Sequence, residues 1–312
     1  MAVERIAVIG NGIIGHGVAQ IFASAGHPVT MIGRSETSLE NAVGRIKLSL
    51  ADFKAHGLLT EAEATAAIGR ITLSTKLDDA AAADFVLEAV TENLPLKLGI
   101  FGRLDKICRA DAILASSSGQ PASALVAEVA RRERVIAAHF WYPPQLIPLV
   151  EVCGGPHCAA DTVTRTVDLI RRAGKNPVVI DKEVKGFIGN RLQFALLREA
   201  WSLWASGVAA PEVIDAVVRT SFGRRIAVTG PIESADIGGL ETMYNFARFL
   251  QPDLNTDADP PAEVAAALKA ERPARTWPGI YDWQARRRDA LVTERMEELF
   301  RWLQHDRAAA RK

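Results

Sequence analysis

A glycine triplet, Gly10-x-Gly12-x-x-Gly15, follows directly on the apolar run Ile6-Ala7-Val8-Ile9 and leads into a stretch carrying Val18, Ile21 and Phe22. The order strand, glycine turn, helix restricts a chain sharply. A short apolar run bounded by a turn reads as a buried parallel strand. Gly10 then permits a tight turn, Gly12 lets the backbone come close to a pyrophosphate, and Gly15 lets the helix lie on the strand. Ile13 and Ile14 complete the turn, and the helix N-terminus beyond them offers free N–H groups to an anion. A second strand, Pro28 to Ile32, follows the break at Gly26. The spacing predicts half of a Rossmann-type, doubly wound α/β domain that binds a dinucleotide.

Composition narrows the setting. A length of 312 residues suggests two domains. With 37 Lys+Arg against 37 Asp+Glu, the chain lacks the charge excess that nucleic acid or an anionic membrane attracts. No apolar run approaches the roughly 18 residues of a membrane helix. The N-terminus enters the first strand at once, which leaves no room for a signal peptide. Three cysteines, Cys108, Cys153 and Cys158, fit a reducing compartment. Cys153, His157 and Cys158 lack a fourth ligand for a tetrahedral metal site, so no metal is expected. A cytoplasmic protein follows from these readings.

Along the chain, Glu36–Leu59 is helical, with Leu39, Val43, Ile46, Leu50 and Phe53 at steps of three and four. Thr60-Glu61-Ala62-Glu63 caps a further short helix. Strands are expected at Ile71–Ser74, Phe85–Val90, Ala112–Ser116, Arg134–Phe140, Pro148–Cys153 and Pro177–Ile180, with helices at Leu94–Ile107, Ala122–Ala130 and Thr162–Ala173. From Gly186 the pattern becomes continuously helical, beginning with a stripe of Phe187, Asn190, Phe194, Leu197, Trp201 and Trp204. Further helices fall at Pro211–Arg219, Gly239–Leu250, Ala262–Ala270 and from about Gln284 to His305. The expected organisation is a dinucleotide-binding domain over 1–184 and an all-α domain over 185–312. The helical half would serve substrate binding and dimerisation, since Trp201, Trp204 and the terminal helix carry more apolar surface than a small domain needs.

Three polar residues interrupt apolar patterns. His139 ends one strand, and Glu151 lies on the next beyond Pro143-Pro144. If these strands are antiparallel neighbours, the carboxylate lies beside the imidazole, fixes its tautomer and makes it a base for a hydroxyl proton. A core histidine with a structural acid would look the same in isolation. Asn190 on the apolar stripe is the third, and an unpaired amide there would be costly. Beside a dinucleotide fold, the set suggests hydride transfer between alcohol and ketone.

The segments EAVTENLPLK (88–97), LASSSG (114–119), AHFWYPPQLIPLVEV (138–152), KEVKGFIGNRLQFALLREAW (182–201), GPIES (230–234) and GIYDW (279–283) resemble the L-3-hydroxyacyl-CoA dehydrogenase family. The likeness is nearest its gulonate dehydrogenase (lambda-crystallin) and carnitine dehydrogenase branches. It implies that His139 is the catalytic base and Glu151 its partner. It also implies that Ser118 hydrogen-bonds the substrate oxygen, with Ser117 the alternative, that Asn190 donates to substrate or transition state, and that Glu92 lies near the nicotinamide. Two departures stand out. Tyr142 occupies the place of the family's usual Asn after the histidine, and Gly33-Arg34-Ser35 replaces the acid that usually follows the second strand.

An acid there would hold the ribose hydroxyls of NAD, whereas Arg34 and Ser35 suit a 2′-phosphate. NADP is therefore favoured, with NAD still open. For substrate, a small polar 3-hydroxy acid is favoured over a 3-hydroxyacyl-CoA. The IPLVEV strand and double proline resemble the free-acid branches, and Trp141 and Tyr142 add bulk beside the base. Arg45, Lys47 and Lys54 are the cations that could serve CoA phosphates. A non-catalytic, crystallin-like dinucleotide-binding protein is the alternative of another class.

Overall fold

The computed structural model describes residues 3–269, 279–283 and 288–309. Contacts divide the chain into two units, Met1–Ile188 with Glu294–Lys312, and Gly189–Thr293. The first unit is built on eight strands: β1 (Ile6–Ile9), β2 (Val29–Ile32), β3 (Ile71–Ser74), β4 (Phe85–Glu88), β5 (Ile113–Ser116), β6 (Val135–Phe140), β7 (Leu149–Gly154) and β8 (Asn176–Val179). They form one sheet in the order β3-β2-β1-β4-β5-β6-β7-β8. Strands β1 to β6 are parallel, β7 runs antiparallel to β6, and β8 parallel to β7. Strand order reverses between β1 and β4, so a crevice opens beyond their carboxyl ends, the place where open α/β sheets bind ligands.

Side-chain alternation explains the layers. Ile6 and Val8 of β1 pack into a cluster with α1 (Gly15–Ser24), α2 (Glu36–Ala55) and residues Ala64 and Ala67 of α3 (Glu61–Gly69). Ala7 and Ile9 face the other way, onto Phe101 and Leu104 of α4 (Leu94–Ile107). The same alternation sends Ile136, Ala138 and Phe140 of β6 to the first face, where α5 (Ala160–Arg172) contributes Leu169 and Ile170. His139 lies between Ala138 and Phe140 and takes the opposite side. A one-residue slip of β6 would exchange the faces and bury the imidazole in the apolar layer.

Helix ends follow from their caps. Ser35 caps α2 by accepting from the Ser38 N–H. Thr60 and Glu63 form a reciprocal capping box on α3. The expected helix at Ala122–Ala130 is instead a 3-10 turn at Ala122–Leu125 followed by irregular chain. Its apolar residues Leu125, Val126 and Val129 pack beside α4 without needing a regular helix.

The second unit contains most of α6 (Phe187–Ala205), with α7 (Pro211–Thr220), α8 (Phe222–Ile226), α9 (Pro231–Ile237), α10 (Leu240–Leu250) and α11 (Ala262–Lys269). None of the residues in α7 to α11 is buried. The last helix, α12 (Arg288–Ala309), differs from the expectation that 185–312 groups together. From Glu294 onward it clusters with the first unit. Phe300 and Leu303 are buried with Phe53 and Leu146, and Gln304 and Arg307 donate to the carbonyls of His56 and Leu58. No helix among the described residues is long and apolar enough to cross a membrane.

The loop joining β6 to β7 is fastened from below by Lys175. Its Nζ donates to the carbonyls of Gln145 (3.2 Å) and Ile147 (3.0 Å) while the residue is 8% exposed. Burial, aided by the positive field of Arg307, pushes this amine down from 10.5 to about 7. Between these values the unfolded chain binds the proton that the folded one has released, so stability rises with pH across that window and the cost is full below it. Against a Lys175→Met variant, the wild type should gain about 3 kcal/mol between pH 7 and pH 9.5 in urea unfolding, taking 1.36 kcal/mol per unit. Parallel stability curves for the two proteins would refute this.

Candidate active site

The glycine turn is built as a phosphate cradle. Gly10 has φ +100°, and a Cβ there would lie 2.6 Å from the Ala89 carbonyl oxygen. A Cβ on Gly15 would lie 1.8 Å from the carbonyl oxygen of Gly10, so only glycine lets α1 begin so close to the turn. Gly12, by contrast, has nothing within 4 Å of that position and presents bare backbone. No side chain caps α1. Ile13 is exposed and Ile14 half-buried, which completes an open rim. This bare, uncapped turn fits a dinucleotide pyrophosphate. His16 beneath it hydrogen-bonds the Gly12 carbonyl at 2.6 Å, and burial lowers its pKa.

At the end of β2, Arg34 and Ser35 are both exposed. The Ser35 hydroxyl is occupied as a cap, and Arg34 forms no ion pair among the described residues. Arg45 reaches from α2 to donate to the Asn11 carbonyl at 2.7 Å, and Asn11 in turn donates to Ser38. This knits the glycine turn to the first half of α2.

The ends of β4 and β5 hold a buried charge cluster. Glu88 Oε1 accepts from Lys97 Nζ at 2.8 Å, and both side chains are buried. Glu88 also accepts from the Val90 N–H and the Ser116 hydroxyl. Lys97 Nζ stands 3.6 Å from Glu92, whose other oxygen accepts from the Ser118 hydroxyl at 2.6 Å. Removing either partner of the buried Glu88–Lys97 pair would strand a charge in low dielectric, typically a cost of about 3–5 kcal/mol. Sequence reasoning misses Lys97. Its signal is its place nine residues after Glu88 on a helix that packs on the sheet, inside the ENLPLK segment.

The two serine candidates are distinguished by their bonds. Ser118 is buried, donates to Glu92 and accepts from the Gln120 N–H. Ser117 is half-buried, and its oxygen accepts from the Phe140 N–H at the end of β6.

His139 and Glu151 are direct cross-strand partners in the antiparallel β6–β7 ladder. Imidazole Nδ1 lies 2.9 Å from Glu151 Oε2, and both residues are buried. Oε1 accepts from the Ile188 N–H at 3.0 Å, in the first turn of α6, and Oε2 also accepts from the Trp141 indole N–H at 3.0 Å. Phe187 stacks on the imidazole at 5.3 Å, and Trp141 meets it edge-on at 5.6 Å. With Nδ1 held by the carboxylate, Nε2 is the nitrogen left to exchange a proton. Of the two bulky neighbours named from sequence, Trp141 turns onto Glu151 and Tyr142 is 56% exposed. Asn190 belongs to the second unit; it is half-buried, and its amide makes no hydrogen bond among the described residues.

Residues 5–184 match the profile of the 3-hydroxyacyl-CoA dehydrogenase NAD binding domain, and residues 186–283 match that family's C-terminal domain. The chain is 33% identical over 300 residues to the 5-formyl-3-hydroxy-2-methylpyridine 4-carboxylate 5-dehydrogenase of Mesorhizobium japonicum, spanning 95% of this chain and 96% of that protein. It is 38% identical over 244 residues to the lambda-crystallin homolog of Bos taurus, spanning 77% and 76% of the two chains. A solved structure of 5-formyl-3-hydroxy-2-methylpyridine 4-carboxylic acid 5-dehydrogenase, described as an NAD+ dependent dismutase, superposes with a TM-score of 0.87 at 31% identity, covering 97% of this chain and 99% of that one.

Proposed function

This chain belongs to the 3-hydroxyacyl-CoA dehydrogenase family and is a nicotinamide-dinucleotide-dependent dehydrogenase, and from that premise we propose that it reversibly oxidises the 3-hydroxy group of a small polar acid to a ketone. The observation that carries the proposal is the His139–Glu151 contact at the end of β6, in a sheet that also carries the glycine turn. His139 Nε2 takes the hydroxyl proton. Glu151 holds the tautomer and stabilises the imidazolium that forms. Ser118, or Ser117 in its place, hydrogen-bonds the reacting oxygen, and Asn190 supplies a further donor. The Gly10–Gly15 turn holds the pyrophosphate, and Glu92 borders the nicotinamide. Bound NAD(P) supplies the hydride acceptor for oxidation. Residues 1–184 serve the cofactor and the helical residues 185–312 serve substrate and assembly.

A free acid suits the surroundings better than a CoA ester. Of the cations available for CoA phosphates, Arg45 is bonded to the Asn11 carbonyl and Lys54 is paired with Glu61, leaving Lys47 in solvent. A cleft beside the C-terminal end of α2 is lined by His56, Glu294, Glu297, Glu298, Arg301 and Gln304, where Glu297 pairs with His56 and Glu298 with Arg301, so it offers phosphate no unpaired cation. The Mesorhizobium relative, named for a pyridine carboxylate, is consistent with a compact acidic substrate. Side-by-side assays of free 3-hydroxy acid oxidation and acetoacetyl-CoA reduction test this. Higher kcat/KM for a free acid is expected; saturable turnover of acetoacetyl-CoA at micromolar concentration would reverse the choice.

We assign NADP as the preferred cofactor because Arg34, beside the cap of α2, has no ion-pair partner among the described residues. Arg34→Asp should shift the NADP/NAD ratio of kcat/KM toward NAD by about tenfold or more, the worth of one charge-assisted bond. An unchanged ratio would remove Arg34 from the choice of cofactor, and a wild-type ratio favouring NAD would overturn the assignment. The exposed apolar residues of α9 and α10, among them Ile237 (76%) and Phe249 (73%), support a homodimer through the helical unit. Sedimentation equilibrium at micromolar concentration should give twice the chain mass, and a monomer mass would exclude the dimer. Three free cysteines accord with the cytoplasm, where we place the protein.

A further inference from the structure

We infer that Trp141 is a positioning residue for the base, acting through the carboxylate it shares with His139. The indole N–H donates at 3.0 Å to Glu151 Oε2, the same oxygen that lies 2.9 Å from imidazole Nδ1. Two donors on one oxygen do two things. They fix the carboxylate's rotation, since Oε1 is held from the other side by the Ile188 N–H. They also draw charge away from the atom that stabilises the imidazolium.

The groups around the ring make Glu151 the route for this influence. Strand β7 brings Glu151, the segment after β5 brings Ser117 and Ser118 with Glu92 joined to Ser118, and Lys97 lies beyond Glu92. The start of α6 brings Phe187, which carries no charge. Among the described residues, Glu151 is the charged group in hydrogen-bond contact with the imidazole. The indole is therefore placed to tune the base through the carboxylate they share.

This inference rests on His139 acting as the base. Its test compares wild type with Trp141→Phe and with a protein carrying 3-benzothienylalanine at position 141, which keeps the bicyclic shape and replaces the N–H with sulfur. Both substitutions should lower kcat/KM for alcohol oxidation several-fold at neutral pH. Both should also move the acid limb of its pH profile upward, because a carboxylate with one donor fewer favours imidazolium more strongly. KM for the cofactor should not change. A uniform loss at every pH, with the limb in place, would reduce Trp141 to packing and overturn the inference. The benzothienyl protein keeps the test valid if the phenylalanine variant folds poorly. Full activity in His139→Gln would instead overturn the reading beneath it.

Discussion

The His139→Gln variant should bind NAD(P) with unchanged affinity and oxidise substrate at least about a hundredfold more slowly, the usual contribution of a general base. Glutamine keeps a polar side chain against Glu151 Oε2 but has no group that takes a proton near neutral pH. The imidazole lies on β6, whereas the glycine turn that would hold the cofactor follows β1, so the loss should fall on kcat. Stopped-flow measurement of reduced nicotinamide in a single turnover reads the chemical step itself. Wild-type rates in the variant would remove His139 from the mechanism.

Gly15→Ala should disrupt both cofactor binding and the fold. Its Cβ would meet the carbonyl oxygen and carbon of Gly10 at 1.8 and 2.7 Å, and these are backbone atoms fixed by the start of α1. Either the turn opens or the helix lifts from β1, so cofactor affinity should fall by about a hundredfold or more and stability by about 1–3 kcal/mol, the range for overpacking. Gly12→Ala is the matched comparison. It meets nothing within 4 Å in the protein, so the fold should melt normally while dinucleotide binding weakens. Fluorescence titration with reduced cofactor and thermal melts separate the two effects. Equal melting of both variants would contradict the close approach at Gly15.

How legible the molecule is in its sequence depends on the range of each signal. The glycine turn and the strand–helix alternation are local, and the sheet follows them. The His139–Glu151 meeting needs one topological step, an antiparallel return after Pro143-Pro144, and the ladder supplies it in direct register. Longer-range facts are not written in any window. Periodicity marks α12 as helical but does not say that Phe300 and Leu303 bury against Phe53 and Leu146. The apolar residues at 122–130 carry a helix-like spacing, yet a 3-10 turn buries them equally well. The short helices α8 and α9 escape sequence reading because five and seven residues offer too few turns for a period to show. Lys97 looks like a solvent residue on a helix face, and only the sheet's end reveals Glu88 beneath it. Trp141 reads as bulk, since hydrogen-bond direction lies beyond any residue pattern.

We propose that the glycine turn, Ser118 and His139 serve a single reaction. A crystal structure of His139→Gln with NADP+ and a 3-hydroxy acid tests it most directly. The pyrophosphate should lie against Gly10–Gly15 and the nicotinamide beside Glu92. The substrate hydroxyl should lie within hydrogen-bond distance of the substituted glutamine side chain and of Ser118 or Ser117. A substrate bound away from position 139, with the dinucleotide correctly seated on the glycine turn, would contradict it.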